Sequence, residues 1–126
     1  MLKRTLLVLT LGFSSLAQAD VSSALQNICN IVKADDKREL RKKMKKVQAE
    51  YSLKLQDYYS AISCGGNSLI RTAFVNGSLA TGSLLIKKMP KSILNTPQAD
   101  GSTIRAWAVE NGYTDSELLK VLNNRI

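Results

Sequence analysis

The chain has 126 residues, 44% of them hydrophobic and 22% charged, which suits one globular domain with a single core. Eighteen Lys and Arg against ten Asp and Glu set a net charge of +8, and there is no histidine. That absence excludes a Ser-His-Asp or Cys-His nucleophile pair and histidine metal ligation, and two cysteines are too few for a Cys-only zinc site. No catalytic residue, metal site or cofactor is therefore expected, and the chain reads as a non-enzyme.

Lys3 and Arg4 form a positive n-region, Thr5 to Leu16 an apolar stretch, and Ala17-Gln18-Ala19 a small-residue cleavage site. This pattern predicts a secretory signal peptide over residues 1–19, cut between Ala19 and Asp20. The apolar run, about 12 residues, falls short of the roughly 20 that a membrane-spanning helix needs. The first cysteine is Cys29, too late for a lipid anchor. The expected product is a periplasmic or secreted single helical domain, residues 20–126, with no integral membrane segment.

From there Val21, Leu25, Ile28 and Val32 recur at helical spacing, and Ala34-Asp35-Asp36 interrupts the pattern. Asp36 with Glu39 fits a capping box opening a longer amphipathic helix. Its apolar stripe is Leu40, Met44, Val47, Tyr51, Leu55, Tyr58 and Ile62. Around the rest of its circumference the charge is concentrated: residues 33–46 hold eight basic and three acidic side chains. Arg38, Arg41, Lys42, Lys45 and Lys46 form a candidate anion-binding patch, whose plainer reading is a solvated helix face.

Cys64-Gly65-Gly66-Asn67 ends this helical pattern. Short helices are predicted over residues 68–76 and 78–89, parted by Asn76-Gly77 and stopped by Pro90, with one further turn over 92–95. A second pair is expected over 103–110 and 115–123, parted by Asn111-Gly112, with Thr114 and Glu117 as a capping box. No period-2 alternation appears, so the fold class is all-α.

The two pairs repeat. A shift of 35 residues lays Gly66-Asn67-Ser68-Leu69 on Gly101-Ser102-Thr103-Ile104, Ala73 on Ala108, Asn76-Gly77 on Asn111-Gly112, and Leu84 on Leu119. The second copy, Asp100-Gly101-Ser102-Thr103 through Leu118-Leu119, resembles an ankyrin repeat. It departs from that family at Ile104, where proline is usual, and at Ala106, where histidine is usual. The resemblance implies stacked, ankyrin-like helix-turn-helix hairpins behind the basic helix. Across most of the mature chain, Cys29, Lys33-Ala34-Asp35-Asp36-Lys37, Arg41-Lys42-Lys43 and Cys64-Gly65-Gly66-Asn67-Ser68-Leu69-Ile70-Arg71 also resemble an uncharacterised family of small exported gammaproteobacterial proteins, a domain of unknown function. That likeness implies export and a shared architecture, and no activity.

In an exported chain, two cysteines most simply form one disulfide, Cys29–Cys64; two buried thiols and an intermolecular bridge are the alternatives. An unbroken helix over residues 37–63 would be about 40 Å long at 1.5 Å per residue. Cys29, near its start, could not then reach Cys64 at its far end, so either the helix breaks or bends between Met44 and Asp57, which is the favoured reading, or the first helix reaches the far end by another route.

Tyr51, Tyr58, Tyr59 and Trp107 could stack on a ligand, though stripe aromatics are more often core; Tyr59, off the stripe, is expected at the surface. Two functions survive. The first is a small interaction module that binds a periplasmic protein through its stacked hairpins. The alternative is a binder of anionic envelope components (lipopolysaccharide, phospholipid headgroups) or nucleic acid, through the basic helix 33–46.

Overall fold

The computed structural model describes residues 22–126; the expected signal peptide, its cleavage site and Val21 lie outside the described residues. Helix α1 covers residues 22–33, followed by α2 (Lys37–Tyr51), α3 (Leu55–Tyr58), a 3-10 turn (Tyr59–Ala61), α4 (Leu69–Asn76), α5 (Leu79–Lys88), α6 (Lys91–Leu94), α7 (Ile104–Glu110) and α8 (Glu117–Arg125). Among the described residues the fold is all-α, with no strand and one isolated bridge between Cys64 and Asn67.

The first corner is built by two adjacent carboxylates. Asp36 caps α2, its Oδ1 accepting from the Glu39 amide at 3.1 Å. Asp35 stands in the left-handed region at φ 56° and turns its carboxylate away from α2, onto α5. There its Oδ1 accepts from the Thr81 amide at 2.8 Å, satisfying a first-turn donor of a helix that follows more than forty residues later. The fully buried Thr81 hydroxyl lies 3.1 Å from the same oxygen and 3.2 Å from the Val32 carbonyl. Asp35 therefore pins the α1–α2 corner to the start of α5.

The expected break in the long helix falls at Ser52, left-handed at φ 56°, ψ 35°. Residues 52–54 leave the helix, and Asp57 restarts it by accepting from the Lys54 amide at 2.8 Å. The chain then returns over the length α2 has climbed, and Cys64 meets Cys29 in a disulfide with the Cα atoms 5.6 Å apart. Every member of the predicted stripe is nevertheless in or against the core: Leu40, Val47, Leu55, Tyr58 and Ile62 are buried, and Met44 and Tyr51 pack beside them. Tyr59 is a correction. The break and the 3-10 turn re-phase the chain, so consecutive tyrosines both face inward and Tyr59 is only 5% exposed.

The 35-residue repeat is present in the hydrogen bonding as well as in the residue types. Ser68 and Thr103 cap α4 and α7, accepting from the Arg71 and Ala106 amides. The Ser78 amide donates to Ala73 and the Tyr113 amide to Ala108, both at 2.8 Å. The Asn76 and Asn111 side chains donate to Thr72 and Trp107, again both at 2.8 Å. Gly77 and Gly112 take the positive φ that each turn needs, at 65° and 86°. Helices pair within the hairpins, α4 with α5 and α7 with α8, and also between them, α4 with α7 and α5 with α8. Ala73, Ala108, Leu84 and Leu119 are buried between these surfaces. At Gly82 the layers meet so closely that a Cβ would stand 2.7 Å from Leu118 Cδ2 and 3.0 Å from Ala73 Cβ.

The last helix starts later than its sequence suggests. Thr114 does not cap it; the Ser116 amide closes a turn onto the Tyr113 carbonyl, and Ser116 Oγ then accepts from Leu118. Tyr113 dictates this, because its ring is stacked on Trp107 at 5.6 Å and its amide is bound to Ala108. The turn must begin from that fixed point.

Candidate anion-binding cleft

All five residues of the predicted patch, Arg38, Arg41, Lys42, Lys45 and Lys46, are exposed on α2. The tertiary structure divides them. Arg41 and Lys45, one turn apart on one face, line a cleft of about 530 Å³, together with Met44, Gln48, Lys54, Leu55, Gln56 and Lys88. Arg38, Lys42 and Lys46 are not among its lining residues and continue the positive charge along α2.

Lys54 and Lys88 are the residues that sequence reasoning missed. Lys54 follows the Ser52 break, and Lys88 ends α5 beside Lys87, so neither belongs to the basic run over residues 33–46. They reach the same space because α5 packs on α2 and the chain just beyond the break borders the same cleft. Four cations, two on α2, one just before α3 and one at the end of α5, thus line one cleft, and no carboxylate lines it. Among the described residues the ion pairs are Arg71–Asp100 and Lys120–Glu117, so none of the four is matched by an acid within the molecule. Like charges gathered without an internal counter-charge leave a positive potential that an anion relieves. Buried Leu55 and half-buried Met44 supply an apolar floor, extended by the methylene stems of the lysines.

A larger hollow, about 640 Å³, lies between Tyr59, α6 and the loop leading to α7. Its one cation is already engaged. Arg71, 7% exposed, makes a two-pronged pair with Asp100 at 2.7 and 3.0 Å, donates to the Ser102 carbonyl, and lies 5.1 Å over the Trp107 ring. The guanidinium and the Ser102 amide together hold the Asp100 carboxyl down at about 2. This arrangement locks the two hairpins together and leaves no net charge for a ligand.

The aromatic side chains are structural as well. Trp107 is engaged by Arg71, by Tyr113 and, edge-on, by Phe74 at 6.0 Å. Tyr59 Oη accepts from the Ile70 amide at 3.3 Å, and burial pushes its hydroxyl above the ordinary tyrosine value. Tyr58 is pushed up to about 12, by burial first and then by the neighbouring Asp57 charge.

An all-helical domain, bridged by one disulfide and carrying a convergent basic cleft, is what the fold and the site define. Residues 28–96 match the family described as a protein of unknown function (DUF3718), and the chain belongs to that family. The matched stretch contains both cysteines, the Asp35–Asp36 corner and all four cleft cations, and it ends ahead of α7 and α8. No curated protein and no solved structure matches the chain. No helix among the described residues is long and apolar enough to cross a membrane.

Proposed function

We propose that this is an exported, non-enzymatic binding protein that engages the phosphate-bearing headgroups of envelope lipids through the basic face of α2. The observation that carries this reading is the convergence of Arg41, Lys45, Lys54 and Lys88 on a cleft lined by no carboxylate. The disulfide is in keeping with an oxidising compartment. Binding of this kind releases counterions and weakens with salt. Sedimentation with phosphatidylglycerol vesicles is therefore expected to fall at least about tenfold between roughly 50 and 200 mM salt. It should be lost when Arg38, Arg41, Lys42, Lys45 and Lys46 are replaced by glutamine. Salt-independent binding, or vesicle binding that survives all five replacements, overturns the proposal.

A second reading, docking of a periplasmic protein on ankyrin-like stacked hairpins, is favoured by Val75, Leu79 and Val109, large apolar side chains that are 40 to 52% exposed together with Ile93. The first three lie within three residues of an Asn-Gly turn. A pull-down from periplasm with the wild type beside a Val75→Asp, Leu79→Asp, Val109→Asp variant separates the readings. A partner retained equally by both proteins speaks against it.

A further inference from the structure

The cleft has a shape and composition that a flat lipid-binding face does not require. Its cations come from α2, from the residue just before α3 and from the end of α5, so three separate parts of the chain bring positive charge to it. Its volume of about 530 Å³ lies within the range of small-molecule pockets, roughly 300–1,000 Å³. A bare inorganic anion would leave most of that space, and the apolar surface of Met44 and Leu55, uncovered. Four positive charges exceed what one carboxylate can balance, whereas a phosphate monoester carries close to two negative charges near pH 7 and presents three terminal oxygens. The lining includes no aromatic ring, so a nucleotide base would find no stacking platform. An aliphatic body is the better match.

We propose that the cleft between Arg41, Lys45, Lys54 and Lys88 is a binding site for a single aliphatic phosphate monoester, its phosphate held by the four cations and its first methylenes laid on Met44 and Leu55. This deepens the reading above and rests on it. The oxygen-bearing group sits where positive potential is greatest. The aliphatic chain covers the apolar surface of Met44 and Leu55, gaining about 0.8 kcal/mol for each methylene that leaves water.

The test is a calorimetric titration of the full oxidised protein with hexyl phosphate below its micellar concentration, beside inorganic phosphate and anionic vesicles. Hexyl phosphate should bind with one-to-one stoichiometry and at least about tenfold more tightly than inorganic phosphate. A Lys54→Gln, Lys88→Gln variant should weaken it by at least about tenfold. A Lys33→Gln, Lys37→Gln variant, which loses the same charge outside the cleft, should change it by less than about twofold. Met44→Gln should narrow the preference for hexyl phosphate over inorganic phosphate and leave binding of the latter unchanged. All the substituted lysines are exposed, so the variants keep their fold, which circular dichroism checks. Equal binding of the two phosphates, or hexyl phosphate binding that is indifferent to Lys54 and Lys88, overturns the inference. If vesicles bind through α2 while hexyl phosphate does not bind, the surface reading stands and the cleft inference falls. If neither binds, both fall.

Discussion

Removing the disulfide by a Cys29→Ala, Cys64→Ala double substitution is expected to lower the stability of the domain by about 4 kcal/mol. The two cysteines are 35 residues apart in sequence. Releasing that loop returns to the unfolded chain the entropy that the bridge had removed, and the cost follows from loop length. Alanine is the informative replacement, because both sulfurs are buried and a serine hydroxyl would add an unsatisfied polar group. A domain of this size has only about 5–15 kcal/mol in total, so the loss is a large share of it. The urea midpoint at neutral pH, measured for the oxidised wild type and the double variant, should drop accordingly, with a fall in melting temperature of roughly 20 °C. Equal midpoints would show that the return of the chain from Ser52 to Cys64 is held by packing alone.

Arg71→Ala should cost about 3 kcal/mol, the combined loss of charge-assisted hydrogen bonds and of a packed side chain. Arg71 is the single residue of the first hairpin that binds the chain leading into the second by side-chain hydrogen bonds, through Asp100 and the Ser102 carbonyl. Its guanidinium also lies over the Trp107 ring. The substitution removes all of these at once, so α7 and α8 should lose amide-exchange protection ahead of α1 and α2. Uniform loss of protection would show that the hairpins are one cooperative unit without this clamp.

The same pair has a pH signature of fixed sign. The Asp100 carboxyl is held at about 2, below its unfolded value of 3.8, so the folded state favours its ionised form. Its contribution is complete above the unfolded value and is lost as pH falls through 3.8 toward 2. An Asp100→Asn variant should therefore lose that part of the acid dependence, seen as a smaller fall in urea midpoint between neutral and acid pH.

Much of this molecule was legible without coordinates because its signals are local. The stripe from Leu40 to Ile62 marked buried positions correctly, since burial follows residue type and spacing even where the backbone is interrupted. The position of the interruption was bounded by a geometric conflict between helix length and disulfide reach. Its residue is not marked in the sequence, because Ser52, left-handed at φ 56°, is neither glycine nor asparagine, the residues that ordinarily end a helix in that region. Tyr59 departs from its expected surface position because a stripe is drawn in one phase, and the break changes the phase.

Composition, then, determined that histidine chemistry is absent, the order of residues 33–46 that the charge is local, and the repeat arithmetic the hairpins, because each rests on residue identities and their positions alone. The site is another matter. Arg41 and Lys45 lie four residues apart on one helix, but Lys54 and Lys88 join them only when the helix breaks at Ser52 and α5 packs across. The Asp35 bond to Thr81 and the Arg71 bond to Asp100 are of the same kind, joining residues separated by 46 and 29 positions. Periodicity and capping act over one or two turns of chain, whereas these contacts are set by which surfaces bury one another. A run of charge written in the sequence became a cleft only through that packing.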